Sequence, residues 1–232
     1  MLQMSLPLET PLPLEAIDRR LRATYAPLPS YAHLDPVSQL VLAILGARTR
    51  GEVSMAAFEM LWAEFGDWRK LREASAAMVE PLIGAVTFPG NKAKWLPAAL
   101  RQITERRGGL DLDFLATWPV ESACAWLESL DGVGPKVSAA VLNFSTLRMR
   151  ALVVDTHYFR VAKRLGLLPA AVPFPSACRV LMRQLPDDWS AAELDDHFEL
   201  VKTHGQQRCR HANPLCGDCP LTDLCASAPH SP

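Results

Sequence analysis

From residue 14 onward the apolar positions recur at helical rather than strand spacing. Leu14, Ile17, Leu21 and Tyr25 mark a first helix, bracketed by Pro7, Pro11, Pro13, Pro27 and Pro29. Asp35-Pro36 sets an N-cap before a proline at the first helical position, and the run Val37 to Leu45 behind it is apolar enough for a buried helix. A basic turn, Ala47-Arg48-Thr49-Arg50-Gly51, breaks the pattern. Val53, Ala57, Met60, Leu61 and Phe65 then form another amphipathic face. Ser75 is placed to cap a helix through Met78, Leu82 and Ile83. A further helix is expected after Asn91, through Trp95, Leu100 and Ile103, with Pro97 in its early turns or kinking it and Arg106-Arg107-Gly108-Gly109 ending it. A short helical pattern lies near Phe114. The pattern predicts an all-α chain of short helices joined by short turns, with no strand and no repeat, whose apolar faces must be buried helix on helix.

Two further helical patterns flank one tight turn. Ala123, Trp126, Leu127 and Leu130 precede it, and Val137, Ala140, Val141 and Phe144 follow, with Leu130-Asp131-Gly132-Val133-Gly134-Pro135-Lys136 between them. Gly132 and Gly134, either side of Val133, can take positive φ and let their N–H groups approach an anion closely at a helix N-terminus, where a DNA phosphate fits. An ordinary turn between helices accounts for the glycines as well. The surrounding charge bears on the choice: between Gly132 and Ala170 stand Lys136, Arg148, Arg150, Arg160, Lys163 and Arg164 against the single acid Asp155, in a chain of net charge −1. Such a stretch is either the footprint of a phosphate-backbone binder or a solvated surface. Taken singly, Lys136 reads first as one more phosphate contact and Asp155 first as the N-cap of a helix starting at Thr156.

With 232 residues of which 49% are hydrophobic, the chain can build one large or two small domains, and disorder is not expected. Its longest strongly apolar stretch, Leu40 to Ala47, is too short to span a bilayer, so a cytoplasmic protein is expected. The arginines of the first helix, Arg19, Arg20 and Arg22, read as a solvated face. Cys124 and Cys178 fall on helical patterns and read as buried core thiols. Cys209, Cys216, Cys219 and Cys225 instead crowd into one segment with the spacing C-x6-C-x2-C-x5-C, four thiolate ligands for a metal or a cluster. Chemistry alone leaves zinc and iron–sulfur both open, while disulfides are disfavoured in a cytoplasmic chain. Arg210 and His211 lie in the loop between the first two of these cysteines and are candidates to contact a phosphate.

The segment Leu130 to Lys136, followed by Val154-Asp155-Thr156-His157, resembles the helix-hairpin-helix and active-site region of the endonuclease III family of DNA repair glycosylases. The resemblance covers most of residues 30 to 226. It implies that Lys136 is a nucleophile and that Asp155 is the carboxylate assisting departure of the base. It also implies a helical barrel domain over residues 30–149 and an iron–sulfur domain made of residues 1–29 and 150–232, with the active site in the cleft between them. The cysteine spacing is similar to the [4Fe-4S] loop of this family and of the related adenine-mismatch glycosylases, which implies a structural cluster on Cys209, Cys216, Cys219 and Cys225. Where the family carries a glutamine that fills the space of a flipped base, this chain aligns Arg48; near the family's wedging leucine it aligns Phe88. Arg48 is a departure, since a guanidinium is longer, charged and able to stack. The function implied is a bifunctional DNA glycosylase and abasic-site lyase of base excision repair, acting on oxidised pyrimidines and abasic sites. The expected partner is double-stranded DNA, with no membrane, and the expected state is a monomer. Two other readings stand beside it: a monofunctional mismatch glycosylase, against which Lys136 argues, and a non-catalytic helix-hairpin-helix module.

Overall fold

The computed structural model describes residues 14–229; Pro7, Pro11 and Pro13 lie outside them. Among the described residues the chain is helical, with a lone bridge between Leu34 and Ser145 and no other β-structure. It divides into two compact units, one made of residues 1–28, 155–188 and 197–232 and the other of residues 29–154 and 189–196.

The second of these holds α2 (Pro36–Leu45), α3 (Gly51–Phe65), α4 (Trp68–Glu73), α5 (Ala76–Leu82), α6 (Pro89–Arg107), α7 (Val120–Glu128) and α8 (Pro135–Phe144). The start of α2 follows from chemistry: Asp35 accepts from the N–H groups of Val37 and Ser38, each at 3.0 Å, and Pro36 gives up no useful donor in the first turn. The helix is apolar nearly all round, so it is buried nearly all round, and α8 packs along it. The trailing residues 189–196 belong here because polar groups tie them in. Arg148 pairs with Asp195 at 3.0 Å, Asn143 Nδ2 donates to the Ala191 carbonyl at 3.0 Å, and Arg150 Nε donates to that of Trp189 at 2.9 Å.

Several boundaries move from their expected places. Ser75 sits at the N-cap of α5 but makes no capping hydrogen bond. α6 begins at Pro89, two residues before Asn91, because Phe88 adopts a left-handed conformation and turns the chain directly into a proline-led first turn. Pro97 lies buried within α6, and the pattern near Phe114 is a 3-10 turn, Asp113–Thr117.

The first unit is built on α1 (Leu14–Tyr25), α9 (Thr156–Leu165), the short α10 (Ala177–Met182) and the greater part of α11 (Ala191–Gln207). Its centre is a buried polar relay. His197 donates or accepts at both ring nitrogens, 3.0 Å from Asp18 Oδ1 and 3.0 Å from the hydroxyl of Tyr158, and both rings are 0% exposed. Burial pulls the Asp18 carboxyl up, but His197 and then Arg22 hold it below the usual carboxylate range. One side chain each from α1, α9 and α11 is thereby fixed in register. No described helix is long and apolar enough to cross a membrane.

Candidate active site and cysteine loop

The hairpin is where the sequence placed it, between α7 and α8, but its two glycines do different work. Gly132 has φ +76°, and a Cβ there would come within 2.8 Å of Trp95 on α6, so this position needs glycine both for conformation and for space. Gly134 does not use the positive φ open to it. It is the N-cap of α8 at φ −116° and ψ −177°, an extended conformation open to any residue, and nothing lies within 4 Å of a Cβ built there. Between them Val133 is buried, its N–H donating to the Leu130 carbonyl at 3.2 Å.

Lys136 follows Pro135 in the first turn of α8 and is half-buried. The turn beneath it is held by Ser138, whose hydroxyl donates to Glu128 of α7 at 2.8 Å. Lys136 also has a charged neighbour that the sequence did not reveal. Lys92 of α6, 1% exposed, has its pKa pushed down to about 8, first by burial and then by the charge of Lys136.

Asp155 belongs to the other unit and caps α9, accepting from the Tyr158 N–H at 2.7 Å. One carboxylate oxygen is thus engaged in fixing the helix start.

Most of the cationic stretch is spoken for within the chain. Arg160 donates to the carbonyls of Cys209 and Gly205 at 2.9 and 2.6 Å, and Lys163 to those of Pro169 and Ala170 at 2.5 and 2.8 Å. Arg164 donates to the carbonyls of Arg210 and His211 at 2.6 and 2.9 Å. With Arg148 and Arg150 already bound near residues 189–196, the count of basic residues overstated the phosphate-binding face: guanidinium groups here satisfy carbonyls at helix ends and loops. Arg210 itself is exposed, with its Nε donating to the Gln207 carbonyl at 3.1 Å.

α9 is therefore the platform of the cysteine loop. Cys209, Cys216, Cys219 and Cys225 all line one cavity of about 70 Å³, walled on its apolar side by Val161, Leu165 and Leu221. Burial first, and the neighbouring thiol charges further down, push Cys219 and Cys225 up, while Arg164 donates to Cys209 Sγ at 3.3 Å and the Leu221 N–H to Cys219 Sγ at 3.4 Å. Among the described residues no three His, Cys, Asp or Glu side chains converge tightly enough for one metal ion. Arg20 of α1, read from the sequence as solvated, pairs with Asp223 and closes the far side of the loop. Cys124 and Cys178 are only half-buried, not core thiols, and burial pushes the Cys124 thiol up to about 11.

Arg48 and Phe88 stand on two exposed loops of the second unit, with the Arg48 guanidinium 5.9 Å from the centre of the Phe88 ring. Both adopt left-handed backbone, at φ 58° and 57°.

An all-α fold with a helix-hairpin-helix turn, a lysine at the start of its second helix and a four-cysteine loop defines a class of DNA repair protein. Residues 41–182 match the HhH-GPD superfamily of base excision DNA repair proteins. The chain is 32% identical over 195 residues to endonuclease III of Synechocystis sp., covering 83% of this chain and 82% of that one, and 28% identical to endonuclease III of Thermotoga maritima over 84% and 85%. The fold matches that of a trapped endonuclease III–DNA covalent intermediate with a TM-score of 0.77, at 20% identity, over 95% of this chain and 97% of that one. The chain belongs to the endonuclease III family. Its activity is that of a DNA glycosylase and abasic-site lyase of base excision repair.

Proposed function

We propose that this enzyme releases oxidised pyrimidines flipped from duplex DNA and nicks the abasic site left behind, with Lys136 as nucleophile and Asp155 as the assisting carboxylate. The observation that carries the reading is the amine at the first turn of α8, next to the buried Lys92 ammonium. The neutral amine of Lys136 attacks C1′, the bond from C1′ to the base breaks, and the sugar ring opens to a Schiff base. Loss of a C2′ proton then expels the 3′ phosphate, and water releases the lysine. Asp155 offsets the positive charge that develops on the sugar while the glycosidic bond lengthens, using the oxygen not committed to the Tyr158 N–H. Gly132, Val133 and Gly134 present the turn that grips a phosphate, Arg48 enters the space vacated in the duplex while Phe88 wedges the opposite strand, and Arg210 contacts the backbone. In this proposal the protein works as a cytoplasmic monomer.

The four cysteines suit a [4Fe-4S] cluster better than a zinc ion. A single zinc would require four sulfurs about 2.3 Å from one centre, whereas these thiols ring a cavity of about 70 Å³. Four thiolates so close together need a cationic core, and Arg164 beside Cys209 eases the remaining negative charge. When bound, the cluster supplies structure, tying the ends of the loop to one another. The experiment that tests the function is a panel of duplexes carrying single lesions, assayed for base release and strand nicking with and without borohydride. Base release from oxidised pyrimidines with borohydride-dependent trapping supports the proposal. Release without any trapped adduct would make the enzyme monofunctional.

A further inference from the structure

Two non-glycine residues in left-handed backbone, Arg48 and Phe88, persist only if their surroundings hold them there. What holds them is the same set of groups. Thr87, next to Phe88, donates its hydroxyl to the Arg48 carbonyl at 2.9 Å, and its own N–H donates to Thr49 Oγ1 at 3.1 Å. Thr49 Oγ1 in turn accepts from Lys92 Nζ at 2.8 Å, and the same ammonium donates to the carbonyls of Leu45 and Ala47 at 2.6 and 2.8 Å. All three N–H bonds of a lysine that is 1% exposed are thus spent on the turn after α2. Lys92 rides on α6, whose first turn is entered from Phe88 and accepts at the Phe88 carbonyl from the N–H of Asn91 and Lys92. The Phe88 loop cannot move without dragging Lys92, and Lys92 cannot move without releasing the Arg48 turn.

We propose that Lys92, Thr87 and Thr49 are positioning residues that join the two loops into one rigid element, so that Arg48 and Phe88 engage the unpaired base of the opposite strand as a coupled pair. The pair fits an unpaired nucleobase: an aromatic face for stacking, with a guanidinium 5.9 Å from its centre. The proposal rests on the reading that these two side chains contact DNA.

The test uses the full-length protein and a duplex with a tetrahydrofuran abasic analogue opposite 2-aminopurine, whose fluorescence reports stacking. Arg48→Gln, Phe88→Ala and their double variant form a cycle, repeated in the Thr87→Val and Thr87→Ser backgrounds. Thr87 is exposed, so both backgrounds should melt like the parent. In the parent the two substitutions should be non-additive by about threefold or more in opposite-base discrimination. Thr87→Val removes the hydroxyl bond to the Arg48 carbonyl but keeps the N–H bond to Thr49, so it should reduce the non-additivity and diminish the fluorescence change, and Thr87→Ser should restore both. Additive effects in the parent, or coupling undiminished by Thr87→Val, would overturn the proposal while leaving DNA contact intact. Fluorescence insensitive to both Arg48→Gln and Phe88→Ala at saturating enzyme would remove the contact reading, and the coupling with it.

Discussion

Lys136 and Asp155 can be separated experimentally because the fold asks different things of them. Lys136→Ala should abolish the borohydride-trapped adduct while leaving the thermal transition in place, since the side chain is half-buried at a helix start. Undiminished trapping would move the nucleophile elsewhere. Asp155→Asn keeps an acceptor for the Tyr158 N–H and so keeps the cap of α9, but loses the charge; base release should slow while duplex affinity holds. Asp155→Ala should in addition cost about 1 kcal/mol of stability by uncapping the helix. Lys92 carries a pH signature of its own. Its folded pKa of about 8 lies below the unfolded value of 10.5. Between those two values the unfolded chain binds a proton that the folded chain does not, so stability gains with rising pH through that window and has no such slope below it. Urea melts of the parent against Lys92→Met should therefore diverge in favour of the parent from pH 8 to pH 10. A constant difference would mean that Lys92 titrates alike in both states.

At the scale of the element, the helix-hairpin-helix turn separates what the fold requires from what a ligand requires. Gly132→Ala meets both a positive φ and the Trp95 side chain at 2.8 Å, and should cost about 1–3 kcal/mol of stability. Gly134→Ala meets nothing within 4 Å and should melt like the parent, yet weaken duplex binding if a phosphate rests against that backbone. Unchanged affinity in Gly134→Ala would take the phosphate away from this turn. The turn, the N-cap at Asp155 and the start of α2 were legible in the sequence because they rest on local rules: a glycine, a capping carboxylate and a proline at the first helical position. What was not legible depends on neighbours distant in sequence. Nothing at Lys92 announces that its three protons go to residues 45 to 49. Arg160 and Arg164 look like phosphate ligands until the carbonyls of the cysteine loop come to meet them. Gly134 shares a glycine's freedom with Gly132 but sits where any residue could, a distinction visible only once Trp95 is in place beside one and not the other.

At the scale of the molecule, the proposed role of Asp155 ties catalysis to the cysteine loop through α9, because Arg160 and Arg164 reach the loop from the helix that Asp155 caps. That geometry sets an order of events for loss of the metal. The purified protein should be yellow-brown and contain iron, with four cysteine ligands. Oxidative loss or chelation of that iron removes the tie between the four cysteines and leaves the loop held by hydrogen bonds such as those from Arg160 and Arg164 to its carbonyls. Hydrogen exchange should then accelerate first in residues 204–225 and next in the first turns of α9, while α8, held by α2 and α7, keeps its protection. Trapping through Lys136 should survive longer than base release, since the group lost from its place is Asp155. Stoichiometric zinc in protein prepared without oxygen would remove the cluster from this account. Equal acceleration in α8 and α9 after iron loss would show that the loop stabilises the whole chain rather than the helix beneath it.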